Sequence, residues 1–132
     1  MSRNTDAVKA IYESFGKGDV PAILARLAPD VAWEHDWGGE TLKWFEPRRG
    51  REAVPGFFAS LADFEFTRFE PTAFLEGGDK VAVPVQLDLV CKSNGKRIRD
   101  FEMHLWTFAP DGLVTGFRHF VDTQQWAQAT RA

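Results

Sequence analysis

The sequence predicts an α+β domain in which helices come first and an antiparallel sheet follows. Ahead of Leu61, apolar side chains recur at helical spacing. From Phe64 onward they fall on four strand-like stretches, separated by Glu76-Gly77-Gly78-Asp79, Ser93-Asn94-Gly95 and Pro110-Asp111-Gly112. Those separators are turn chemistry suited to antiparallel hairpins. With the helices segregated in front, the sheet has to bend around them to bury its apolar face.

Thr5 or Asp6 can cap the first helix, because a short side-chain oxygen accepts from an otherwise unpaired backbone N–H. Val8, Ile11, Tyr12 and Phe15 then share one face. Gly16 and Gly18 stop this helix, Asp19 caps a second with Pro21 in its first turn, and Ile23, Leu24 and Leu27 supply the buried stripe up to Pro29. Val31 to Trp37 is a short strand. A polar loop from Gly38 to Gly50 carries Leu42, Trp44 and Phe45 as apolar anchors that can cover a pocket. Arg51 to Leu61 forms a third helix, with Val54, Phe57, Phe58 and Leu61 at helical spacing.

The four later strands are Phe64 to Leu75, Lys80 to Cys91, Lys96 to Phe108 and Leu113 to Val121. Pro84 cannot donate a ladder hydrogen bond, which predicts an edge or a bulge there. Asp122 fits a strand end or helix cap, and Trp126 packs the C-terminal segment on the domain. No linker or repeat interrupts residues 1–132, so one domain is expected.

The 132 residues can bury a core without disulfides or a structural metal. A net charge of −3 gives no attraction to nucleic acid or to an anionic membrane. The Arg48, Arg49, Arg51 cluster is broken by Glu46 and Glu52. Cys91 is the single cysteine, and neither a signal peptide nor a membrane span is evident, so a cytoplasmic protein is expected. The aromatic share of 14% favours a cavity or a large interface beyond ordinary core filling.

All three histidines, His35, His104 and His119, sit on aromatic-rich strand-like stretches. Imidazole is the side chain best matched to proton transfer near neutral pH. Asp100 and Glu102 share strand parity with His104, so one of them can orient its ring, or both can lie in solvent beyond a pocket mouth. Trp33, Trp37, Trp44, Phe57, Phe58, Trp106 and Phe117 are candidates for an apolar ligand wall. The histidines with Asp36, Asp88 or Glu102 meet the minimum ligand chemistry for zinc or a nonheme metal, but their spacing resembles no compact metal motif. No metal and no other cofactor is therefore expected.

Phe15-Gly16-Lys17-Gly18-Asp19-Val20-Pro21-Ala22-Ile23-Leu24, Leu27-Ala28-Pro29-Asp30-Val31-Ala32-Trp33-Glu34, Gly50-Arg51-Glu52-Ala53-Val54 and Phe117-Arg118-His119-Phe120-Val121-Asp122-Thr123 resemble the SnoaL-like, ketosteroid-isomerase-related branch of the nuclear-transport-factor-2-like superfamily. The resemblance implies a cone-shaped barrel, with three N-terminal helices packed on a strongly curved, mainly antiparallel sheet that encloses a deep pocket. A homodimer is implied as well. His35 takes the place of the isomerase base aspartate and His104 that of the oxyanion-hole aspartic acid. Ile11 matches the family's tyrosine, with Tyr12 one residue off. Against the limonene-epoxide-hydrolase relatives, His119 replaces the final-strand aspartate, Trp33 and His35 match the water-positioning pair, Gln86 replaces the arginine, and Asp88 is retained as a candidate ligand contact.

Two functions follow from this resemblance. One is a cofactor-independent acid–base enzyme acting on a small apolar oxygenated molecule by isomerisation, cyclisation, dehydration or hydration. In it His35 takes the proton, His104 donates to oxygen, His119 relays, and Glu102 lies against the ligand. The other is a noncatalytic ligand-binding or dimerisation module of the same fold.

Overall fold

The computed structural model describes residues 2–34 and 42–130. Helices α1 (Arg3–Gly16) and α2 (Val20–Leu24) lead into β1 (Leu27–Trp33). Then come β2 (Arg48–Arg49), α3 (Val54–Ser60), β3 (Phe64–Pro71), β4 (Leu75–Gly77), β5 (Lys80–Cys91), β6 (Arg97–Phe108), β7 (Val114–Phe120) and α4 (Thr123–Thr130). The sheet runs β2-β1-β7-β6-β5-β3, with β4 paired to the free end of β5. Every pairing is antiparallel except β1 with β7. Among the described residues no helix is long and apolar enough to cross a membrane.

The cap of α1 falls earlier than the sequence suggests. Ser2, not Thr5 or Asp6, accepts from the backbone N–H groups of Asn4 (3.1 Å) and Thr5 (3.3 Å). Asp19 caps α2 as expected, accepting from Ala22 N–H at 3.2 Å. Pro29 does not end a helix but lies within β1, because the chain turns extended at Leu27. Pro84 lies mid-strand in β5, opposite Met103 of β6. It is tolerated there because the other neighbour changes from β3 to β4 at that point. Thr72 in the gap donates its N–H to the Pro84 carbonyl at 2.8 Å.

One core lies between the helices and the concave face of the sheet, where Val8, Ile11, Ile23 and Val54 meet Val81, Val83, Trp106 and Phe117. A second lies at the other end, where Trp126 and Ala129 of α4 cover Phe45, Phe64, Leu87 and Leu89. The fourth helix thus contributes Trp126 to the pocket wall, where the sequence predicts only a packed tail.

The start of α1 is also tied to β4, because the hydroxyls of Ser2 and Thr5 both donate to the Glu76 carboxylate, Thr5 at 2.6 Å. These hydrogen bonds hold its pKa below the usual 4.5. A depressed folded pKa means the stabilisation is present above the unfolded value and is lost as pH falls through the folded one. Glu76→Gln is expected to flatten the acid limb of the stability curve relative to wild type. Urea unfolding at a series of pH values checks this, and equal slopes for the two proteins would remove Glu76 from the acid response.

Candidate active site

Period-two alternation on β6 sends Ile98, Asp100, Glu102, His104, Trp106 and Phe108 to the buried face. The register of β6 with β7 sets His104 directly opposite His119. Their rings meet edge to face with centroids 4.4 Å apart. Glu34, at the end of β1, takes a positive φ of 58°, which is uncommon for a residue with a side chain. Its N–H donates to the Phe117 carbonyl (2.8 Å), and its side chain enters the cone against His119.

Two hydrogen-bonded groups result. In the first, Trp106 Nε1–H donates to the Tyr12 hydroxyl oxygen (3.0 Å), which is 2.7 Å from His104 Nδ1. His104 Nε2 is in turn 3.0 Å from Glu102 Oε1. In the second, the Glu34 carboxylate holds His119 through Nδ1 and also accepts from its backbone N–H at 3.4 Å. Asp100 stands behind both, accepting from Trp126 Nε1–H (3.0 Å) and from Asp122 N–H (3.1 Å).

Burial decides which groups carry protons. It pushes Glu102 up to about 8, against the pull of His119 and with the support of the Asp100 and Glu34 charges and a hydrogen bond to Asp100. It pushes His104 well below the usual histidine value, reinforced by the charge of His119. Burial also opposes charge on His119, yet the Glu34 carboxylate, by charge and by hydrogen bond, with Glu102 and Asp100 behind it, raises that pKa overall. Desolvation raises Tyr12. The directions favour a proton on His119 and on Glu102 and a neutral ring on His104, with the Tyr12 phenol beside them at the cavity.

That cavity has a volume of about 60 Å³ and is lined by aromatic rings, with Tyr12, Glu102, His104 and His119 at its polar end. Phe15, Phe58, Leu61 and Phe66 also line a wider vestibule of about 230 Å³, bounded in addition by Gly18 and Val20. These four residues border both spaces.

Of the residues singled out in the sequence, the structure brings His104, His119, Trp33, Phe57, Phe58, Glu102, Trp106 and Phe117 together in the pocket wall. His35, Asp36 and Trp37 lie outside the described residues. Two candidates belong elsewhere. Asp88 alternates to the outer face of β5, where it pairs with Arg99 at 3.2 Å, so it is no pocket contact. Trp44 packs on Phe64 and donates to Asp63 at 3.1 Å, outside the pocket wall. Asp100 and Glu102 are buried rather than in solvent beyond the mouth.

Phe45, one of the loop anchors, does line the pocket, whereas the sequence does not single out Tyr12, Glu34 or Trp126 as site residues. Tyr12 is one residue off the position of the family's tyrosine, yet its hydroxyl meets His104 and Trp106. Glu34 is the residue preceding His35, and only the positive φ turns it inward. The argument from spacing against a metal also does not survive folding, because Glu102, His104 and His119 bring one ligand atom each to within 4.8 Å of one another.

No curated protein is detectably similar to this chain. Among solved structures, an NTF2-like protein of unknown function from Burkholderia pseudomallei is 29% identical, with a TM-score of 0.87 over 100% of both chains. TerC, crystallised with polyporic acid, is 26% identical, with a TM-score of 0.80 over 97% of this chain and 98% of its own. A polyketide cyclase-like protein from Xanthomonas campestris is 25% identical, with a TM-score of 0.73 over 98% and 97%. The profile of the SnoaL-like domain matches residues 8–117. With helices packed on a curved, unclosed sheet in the manner of these NTF2-like structures, the chain belongs to the SnoaL-like domain family.

Proposed function

We propose that this protein is an acid–base enzyme acting on a small, largely apolar, oxygenated molecule. The observation that carries the reading is the convergence of two hydrogen-bonded groups, Glu34–His119 and Tyr12–His104–Glu102, on one aromatic-lined cavity. The imidazolium of His119 gives its proton to a substrate oxygen. Its imidazole, kept in orientation by Glu34, then takes a proton from an adjacent carbon. The proton count of the enzyme is unchanged over such a cycle, which serves isomerisation, cyclisation or loss of water.

Tyr12 holds the oxygen on which charge develops. A carbonyl beside it selects the proton arrangement in which Glu102 donates to His104, His104 donates to Tyr12, and Tyr12 donates into the pocket. Trp106 N–H polarises the same phenol. In a cavity without bulk water, such oriented donors are worth more than in solution. Trp33 Nε1–H finds no acceptor among the described residues, so a ligand oxygen would satisfy a buried donor. The co-crystallisation of TerC with polyporic acid supports an oxygenated organic ligand.

Native mass spectrometry of the purified protein, then denaturing extraction, is expected to identify such a molecule and set the substrate class to assay. On that substrate Tyr12→Phe is expected to lower kcat by ~100- to 1,000-fold, the scale of one oxyanion donor, with KM little changed. A bound molecule that is never turned over, with affinity retained in the histidine variants, would instead make this a ligand-binding module.

A further inference from the structure

We infer that Glu102, His104 and His119 form a binding site for a zinc-like divalent cation, a property beyond the proton-transfer reading and opposed to it. Their three ligand atoms lie within 4.8 Å of one another, all three residues being buried. Tetrahedral zinc with bonds of ~2.1 Å places its ligands ~3.4 Å apart. The His104 Nε2 and Glu102 Oε1 pair already stands at 3.0 Å. Closing the set requires the most separated of the three atoms, up to 4.8 Å apart, to approach by ~1.4 Å to the spacing of a tetrahedral zinc.

The nitrogen left over on each imidazole is the correct one. His119 is held through Nδ1 by Glu34 and His104 through Nδ1 by Tyr12, which leaves Nε2 of both rings for the cation. A carboxylate or hydroxyl on the far nitrogen is the arrangement that orients metal-ligating histidines and raises their basicity. Glu102 adds an independent sign. It is 3% exposed, and apart from the neighbouring Asp100 carboxyl its Oε2 meets no partner among the described residues. Beyond it stands Asp100, whose oxygen is occupied by Trp126 and by the Asp122 backbone. Three carboxylates, Glu34, Asp100 and Glu102, are thus buried around one corner.

The remaining geometry selects the class of ion. Three protein ligands leave a tetrahedral ion one open position, facing the cavity. A six-coordinate ion would need three further ligands from walls whose remaining side chains, Tyr12 apart, offer aromatic rings and aliphatic groups and no ligand atom. The ion and the transferable proton both require Nε2 of His119, so the loaded form cannot carry out the step described above. Zinc is accordingly an inhibitor of the proton-transfer enzyme.

The test uses chelator-treated full-length protein, titrated calorimetrically with Zn2+ without any substrate. The expected result is one ion per chain, with binding abolished in His119→Gln and Glu102→Gln. Glu34→Gln, which changes the partner of the far nitrogen of His119 and no proposed ligand atom, is expected to weaken affinity by ~10- to 100-fold. Co2+ in the wild-type protein supplies a readout that needs no variant to fold. An intense tetrahedral visible spectrum, with X-ray absorption showing two imidazoles in the coordination sphere, supports the site. Substoichiometric binding, wild-type affinity in both ligand variants, or a six-coordinate spectrum without imidazoles overturns it. A protein that binds zinc but turns nothing over keeps this inference and loses the catalytic one, whereas an active enzyme indifferent to zinc does the reverse.

Discussion

His119→Ala is expected to lower turnover by ~100- to 10,000-fold, the range for removing a positioned acid–base group. The expectation rests on where the ring is held. It is 7% exposed, fixed through Nδ1 by Glu34, and flanked by Phe45, Phe57 and Phe117, so water cannot readily replace it in the same geometry. The loss should fall on kcat, because the aromatic walls that bind the apolar substrate remain. Truncation also breaks a buried charged pair, which costs ~3–5 kcal/mol and can unfold a marginal domain. His119→Gln keeps most of the volume and a hydrogen-bonding end toward Glu34, so it separates lost chemistry from lost folding. If both variants fold and turn over the substrate at the wild-type rate, His119 has no part in the reaction.

Trp126→Ala is expected to destabilise the protein by ~3–5 kcal/mol, the scale for removing a large buried aromatic side chain. Trp126 is 2% exposed, packs edge-on against Phe45 and Phe64 at 4.9 and 5.4 Å, and donates to Asp100 at 3.0 Å. Its loss both opens a cavity and strips a donor from a buried carboxylate. Trp126→Phe separates these contributions, since it retains most of the bulk and loses the N–H, at ~1–3 kcal/mol. Urea unfolding should show a lower midpoint with an unchanged slope. A shift under ~1 kcal/mol for the alanine variant would mean that α4 does not hold the second core together. Because Asp100 stands behind Glu102, both variants are also expected to disturb the acid at the base of the pocket.

The parts legible in the sequence are those governed by local periodicity. The edges of β5 match the predicted Lys80 to Cys91 stretch, and β6 begins one residue later than predicted. The turn residues set both limits, with Gly78 and Gly95 at positive φ where a side chain would be strained. The same alternation assigned Asp100, Glu102, His104 and Trp106 to one face before their surroundings were known. The stretch from Phe64 to Leu75 looks continuous by its apolar content, yet it divides into β3 and β4. Which neighbour a strand pairs with depends on the curvature of the whole sheet, and local composition does not encode that.

Sequence alone thus determined the α+β order, the family, and a pool of histidines and aromatics suited to a pocket. It also determined the inward parity of the β6 carboxylates, because side-chain alternation is a property of a single strand. Tertiary structure alone decided that His104 faces His119, that Glu34 meets that ring, that Tyr12 closes the line to Trp106, and that Asp88 points away. These depend on strand register, on one left-handed backbone turn and on the seating of α1 over the sheet, each fixed by packing between segments far apart in the chain. The protonation pattern follows from the same packing, since it is burial among distant side chains that keeps Glu102 protonated and His104 neutral.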